Sequence, residues 1–139
     1  MIDLSVHFMK IRVFLPLVLL LLAAQDSPPV AITSPASGEA IRGEVTVTGT
    51  TNVPGFASFR LDFSYASNPT DTWFALQTST QPVTDASLAV WDTTLITDGD
   101  YILRLRVFTE DGTFQEVTVP VRVQNDTPIP TPTLVFTPT

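Results

Sequence analysis

Trp91-Asp92-Thr93-Thr94-Leu95-Ile96-Thr97-Asp98-Gly99-Asp100-Tyr101-Ile102-Leu103-Arg104-Leu105-Arg106-Val107 is the stretch that decides the fold. It begins as a turn and runs into a strand where Tyr101, Leu103, Leu105 and Val107 take every second position and Arg104 and Arg106 lie between them. Successive side chains of a strand point to opposite faces, so the pattern predicts a half-buried strand from Tyr101 to Thr109. A helix would drive both arginines into the core.

The same period recurs on either side. Upstream, Phe59, Leu61, Phe63 and Tyr65 alternate with Arg60, Asp62 and Ser64, and Val45, Val47 and Gly49 alternate with Thr46 and Thr48. Downstream, Val117, Val119, Val121 and Val123 predict a strand over Phe114 to Val123 with those valines inward. Shorter runs place strands at Val30 to Thr33, continued after a break by Glu39 to Ile41, at Trp73 to Thr78 and at Leu88 to Trp91. Asp111-Gly112 predicts a type I′ hairpin turn between the last two strands. Pro120 has no N–H to give a ladder, which predicts a sheet edge or a bulge there. Between Gln25 and Thr139 no apolar pattern holds helical spacing over three turns, and β-branched residues dominate. The prediction is an all-β, seven-stranded antiparallel β-sandwich with Greek-key connections over residues 28–125, a usual size for that architecture. It is enough for one core and too little for a large cleft.

The flanks differ from this domain. Val13 to Ala24 is an almost unbroken apolar block preceded by Lys10 and Arg12, so residues 1–24 read as a secretory signal peptide or an N-terminal membrane anchor. Met9 heads a more usual signal than Met1 does. The block falls short of the roughly 20 residues a spanning helix needs. Residues 126–139, with Pro128, Pro130, Pro132 and Pro138 among threonines, predict a disordered, extended, solvated tail suited to a linker or stalk.

Composition narrows the chemistry. Removing residues 1–24 takes His7 and Lys10, the only histidine and lysine, and leaves 13 acids (14 less Asp3) against five arginines. Such a net negative segment repels phosphate backbones and anionic lipid, so nucleic acid is not an expected partner, and membrane contact is expected only through residues 13–24 if the leader is kept. The chain has no cysteine, so an exported domain would be held by its core alone. Without histidine, cysteine or lysine, Ser-His, Cys-His, Ser-Lys and Schiff-base machinery are not available, and an enzyme is not expected.

The segments Trp91-Asp92-Thr93-Thr94, Asp98-Gly99-x-Tyr101 and Leu103-Arg104-Leu105-x-Val107 resemble the Ig-like modules of bacterial secreted and cell-surface proteins. Ile32-x-x-Pro35, Ile41-x-Gly43-x-Val45-x-Val47-x-Gly49-Thr50 and Trp73-x-x-Leu76 agree with them, and Leu95, six residues before Tyr101, is also similar to fibronectin type III spacing. The resemblance covers about residues 30 to 124. It implies export, a buried tyrosine corner in which the Tyr101 hydroxyl bonds upstream backbone, and a role as spacer, adhesive unit or accessory domain, with no catalytic residues and no cofactor.

Several residues are candidates for more. Trp73 and Phe74 are adjacent on a strand, so one of them faces outward, and with Trp91 they are the candidate ligand-facing aromatics, able to stack on sugar. Trp91 is expected to pack over the core. Asp98, Asp100, Glu110 and Asp111 surround glycine turns and could supply calcium ligands, though acids at turns ordinarily bond their own backbone. Arg104, Arg106, Arg60, Asp62 and Glu116 are expected on one exposed face in cross-strand pairs. Asn125-Asp126-Thr127 matches an N-glycosylation sequon. The expected function is a non-catalytic exported module that binds protein or acts as a spacer, the alternative a carbohydrate-binding accessory domain whose partner is a surface polysaccharide.

Overall fold

The computed structural model describes residues 29–126 and 137, and has eight strands. These are β1 (Ala31–Ser34), β2 (Ala40–Ile41), β3 (Glu44–Thr50), β4 (Phe56–Tyr65), β5 (Phe74–Ser79), β6 (Ala86–Asp92), β7 (Gly99–Thr109) and β8 (Phe114–Val123), with one 3-10 turn, Thr93–Leu95, between β6 and β7. They form two sheets, ordered β1-β3-β6 and β2-β8-β7-β4-β5. The leader lies outside the described residues, as does the tail apart from Asp126 and Thr137.

All-β architecture stands, and the strand count and wholly antiparallel pairing are corrected. Sequence joined Val30 to Thr33 with Glu39 to Ile41 as one broken strand. In the structure the two halves serve different sheets: β1 pairs with β3, whereas β2 pairs parallel with β8. The switch is made at Gly38, whose φ of +79° is open to glycine and whose N–H bonds the Pro120 carbonyl at 2.8 Å. Beside β8, β2 reaches only Arg122 and Val123, so Pro120 sits where that strand has no full partner on its outer side.

The inward rows of both sheets make one core. Val47, Leu88 and Trp91 from the smaller sheet meet Phe59, Leu61, Tyr101, Leu103, Leu105, Val107, Val121 and Val123 from the larger. Val117 and Val119 pack against it, half-buried. Burial of such side chains contributes on the order of 1.5 to 3 kcal/mol each, before chain entropy is set against it.

The β7–β8 turn also differs from expectation. A type I′ turn needs two residues of positive φ, but at this turn only Gly112 has one, at +86°. The Gly112 N–H donates to the Thr109 carbonyl at 3.0 Å and the Thr109 N–H to the Thr113 carbonyl at 2.9 Å, closing a longer loop with glycine at its left-handed position. Asp111 drives that choice by keeping ordinary φ and turning its carboxylate back: Oδ1 accepts from Thr109 Oγ1 at 2.5 Å, Thr113 Oγ1 at 2.8 Å and the Thr113 N–H at 3.0 Å. The Thr109 and Thr113 bonds hold its carboxyl at about 2, below the usual 3.8. A lowered folded-state pKa means that its contribution is complete above about pH 4 and is lost as pH falls towards 2. Asp111→Asn is therefore expected to flatten the acid limb of the stability curve in that window, read as the urea midpoint between pH 5 and 2. An unchanged acid limb would dissociate the turn from Asp111 ionisation.

Register fixes the direction of the module. Ala31 lies opposite Thr50, and Phe56 opposite Thr109, so the chain enters at the pole that carries the β7–β8 turn. Gly99 lies opposite Val123, and Tyr65 opposite Tyr101, so it leaves at the other pole.

Candidate functional site

The exit pole gathers the candidate residues. At its centre the Tyr101 ring is buried, and its hydroxyl donates to the Thr97 carbonyl at 2.7 Å, with Thr97 Oγ1 at 3.3 Å. The loop from β6 to β7 is thereby tied to the strand that continues from it. Tyr101→Phe removes the donor and leaves the Thr97 carbonyl without it, an expected loss of about 1 to 3 kcal/mol. In a domain this size each kcal/mol lowers the melting temperature by about 4 to 8 °C, so an unaltered thermal scan would show the bond to be dispensable.

A second tie holds the chain where it leaves. Asp98 accepts the backbone N–H groups of Asn125 at 2.7 Å and Asp126 at 3.0 Å. The Asn125 side chain accepts from the Gly43 N–H at 2.8 Å and donates Nδ2 to the Thr93 carbonyl at 2.9 Å. Buried Thr93 completes the clamp by donating Oγ1 to the Gly43 carbonyl at 2.7 Å. Loop 43, the 3-10 turn and the end of β8 are thus one polar unit. The sequon reading of Asn125 does not fit this geometry, since the amide that a glycan would occupy is half-buried and already donated.

The outer face of the larger sheet carries the charges, but not as an open row. Arg106 pairs with Glu116 at 2.6 Å, and Arg60 with Asp62 at 2.5 Å. Asp62, however, is 0% exposed and also bonds Arg104 Nη2 at 2.7 Å, with Arg104 itself buried. The expected exposure of this pair is therefore corrected. The loop after β4 folds over it: Ser64 Oγ donates to the Thr72 carbonyl at 2.6 Å, and the Trp73 ring lies 3.7 Å from the Arg104 guanidinium carbon. Trp73 Nε1 in turn donates to Asp71 at 2.7 Å. Period-2 alternation places Asp62 and Arg104 on the right face; it has no term for a loop lying across that face.

This decides the three aromatic candidates. Trp91 is 2% exposed, with its ring 4.9 Å from Phe63 and 6.3 Å from Tyr101, so it is core. Trp73 is half-buried and covers an arginine. Phe74 is 41% exposed, and beside it stands Tyr65, 51% exposed, which alternation places inward. Tyr65 is on the inner face, but no strand of the smaller sheet seals it at this pole. The Tyr65 and Phe74 centroids are 6.2 Å apart with planes at 85°, while Phe63 stacks beneath Phe74 at 5.3 Å. Tyr65 is the surface residue that sequence reasoning missed.

Three of the four turn carboxylates, Asp98, Asp100 and Asp111, are engaged with the protein. Asp98 caps the exit, Asp111 caps its own turn, and Asp100 pairs with Arg122 at 2.9 Å, a contact that raises the arginine pKa further. Among the described residues no three His, Cys, Asp or Glu side chains group to hold a metal ion, and no helix is long and apolar enough to cross a membrane. An open groove of about 510 Å³ runs past Gly38, Ala40, Ala66 and Pro120 beside the Asp100–Arg122 pair.

No family model matches the sequence, and neither does any curated protein. Comparison with solved structures does find likeness. An endo-beta-1,4-mannanase from Thermotoga petrophila aligns with a TM-score of 0.53 and 17% identity over 75% of this chain and 22% of that one. Fibronectin(III)-like modules of CbhA from Clostridium thermocellum align at 0.48 and 20% identity, over 68% of this chain and 94% of theirs. CopC from Methylosinus trichosporium OB3b aligns at 0.43 and 14% identity, over 72% and 96%. The chain spans about a fifth of the mannanase, and at 17% identity the likeness to it is one of fold.

Proposed function

We propose that the chain is an exported, non-catalytic module of the fibronectin type III-like or Ig-like kind, serving as a spacer or protein-interaction unit at the cell surface or outside it. The observation that carries this reading is the placement of its ends. The chain enters at one pole and leaves at the other, and the exit is fixed by Asp98 and Asn125. A module built this way sets both the distance and the direction between the segments on its two sides. The polar groups support the same reading, because Asp62, Arg104, Asp98 and Asn125 bond to the fold and not towards a cleft.

The alternative, a carbohydrate-binding accessory domain, draws support from exposed Tyr65 and Phe74. Their rings stand perpendicular and so present no shared plane for a sugar face. The experiment is a titration with soluble polysaccharides monitored by tyrosine and tryptophan fluorescence, with pull-down on insoluble glycans. No response is expected. Saturable binding that disappears in Phe74→Ala, with the β-sheet circular dichroism intact, would replace the spacer reading with the carbohydrate one.

A further inference from the structure

The outer faces of the two sheets carry like-charge pairs of opposite sign. On the larger sheet Arg60 of β4 lies directly opposite Arg106 of β7, the first exposed and the second half-buried. Each guanidinium bonds an acid through Nε alone, Arg60 to Asp62 and Arg106 to Glu116, and its two terminal nitrogens have no hydrogen-bond partner among the described residues. Arg104 shares Asp62, so the cluster sets three guanidinium groups against two carboxylates and one positive charge is left over. On the smaller sheet Glu44 of β3 lies directly opposite Asp92 of β6. Val45 and Trp91 next to them point into the core, which turns both acids outward. Glu44 is exposed and bonds nothing among the described residues, while Asp92 gives one oxygen to Thr94. Arg42, two residues before Glu44, pairs with neither acid among the described residues. Like charges directly opposite are unfavourable within one molecule.

We propose that the Arg60–Arg106 pair of one copy seats the Glu44–Asp92 pair of a second, so that the modules stack front to back. Both pairs are directly opposed neighbours in an antiparallel ladder and so share one spacing, about 4.5 to 5.5 Å between Cβ atoms, which lets two charges meet two. One row towards the entry pole from each pair stands an outward apolar side chain: Phe108 beyond Arg106, its ring 5.8 Å from that of Phe114, and Val90 before Asp92, 61% exposed. Matching rows set the two copies in the same direction. The acidic pair lies at the exit pole beside Gly43 and Thr93, and the arginine pair lies about five residues away, counted from Tyr65 at that pole, so stacked copies are staggered by about 17 Å. The stagger leaves uncovered the loop that carries Trp73, which crosses the exit side of the larger sheet. Three strands at about 4.8 Å by five rows at about 3.3 Å make a patch of roughly 240 Å² on each copy, well below the roughly 800 Å² per partner of a standard stable complex. The contact is therefore weak, opposed by a net charge of −7 on each chain, and forms where copies are crowded. It goes beyond the spacer reading and does not rest on it.

The test is to concentrate the isotope-labelled full chain a hundredfold into the millimolar range and follow its backbone amides. Those of Thr46 and Val90 on one face and of Arg60 and Phe108 on the other are expected to shift together. They should return towards their dilute positions in about 1 M salt, where the Debye length is about 3 Å. Glu44→Arg and Arg106→Glu are each expected to remove the shifts from both faces, since every contact needs one face of each kind. Mixing labelled Glu44→Arg chain with unlabelled Arg106→Glu chain brings two intact faces together, so Arg60 and Phe108 of the labelled chain should shift again while its Thr46 and Val90 stay in place. The concentration and salt series needs no substitution, so it decides the matter even if a charge reversal unfolds the domain. Four results overturn the proposal: no shift on concentration, shifts confined to one face, which would mean contact between like faces, shifts that survive either reversal, or labelled Arg60 and Phe108 that do not respond in the mixture.

Discussion

Asp62→Ala is expected to cost about 3 to 5 kcal/mol, because it leaves the Arg104 guanidinium buried without its counter-charge. Arg104 Nη2 bonds Asp62 at 2.7 Å, its Nε has no hydrogen-bond partner, and the Trp73 ring closes over it. The arginine cannot simply turn to water without lifting Trp73, and with it the loop that Thr72 fastens to Ser64. Arg60, the other partner of Asp62, is largely exposed and regains hydration, so it adds little to the loss. The measurement is the urea midpoint at constant m-value, with tryptophan emission reporting the displaced ring. Replacing both charges, Asp62→Leu with Arg104→Met, is expected to recover most of the stability, since the penalty belongs to the orphaned charge. A single substitution costing under about 1 kcal/mol would mean that water already reaches the pair, at the level of an exposed bridge.

The same residues show how far sequence carries. Alternation in β4, β7 and β8 is enough to assign the strands and to orient Leu103, Leu105, Val121 and Val123 inward, because period 2 arises from backbone geometry alone. It orients a side chain and says nothing of what covers it. Tyr65 points inward and is exposed where the smaller sheet leaves the pole open; Asp62 points outward and is buried beneath Arg104 and Trp73. Both outcomes depend on contacts between segments distant in sequence. The extra strand escaped for a similar reason: two residues, Ala40–Ile41, carry too little pattern to reveal a change of sheet. The exit clamp had one legible sign, an acid at Asp98 beside the glycine turn, but its Asn125 partner lies 27 residues away.

Gly49→Ala is the second substitution with a large expected effect, and its cause is close approach of backbone rather than conformational freedom. Gly49 is opposite Ile32 where β1 lies against β3, and β1 bulges between Ile32 and Ser34. A Cβ placed on Gly49 would sit 2.2 Å from the Ala31 carbonyl oxygen and 2.8 Å from Leu88 Cδ1. Leu88 can rotate, but the carbonyl belongs to the strand itself, so β1 has to move as a unit. Overpacking of this kind costs about 1 to 3 kcal/mol and more where backbone must shift, and the upper end is expected here. The loss should be local before it is global: amide exchange of Ile32 and Ser34 should quicken well ahead of Leu103 and Leu105 in the core. Adding Leu88→Ala relieves only the side-chain contact, so the double variant should remain as unstable as Gly49→Ala or become less stable through the cavity it opens. Recovery of stability in the double variant would instead place the obstruction at Leu88 and free β1 from any close packing on Gly49.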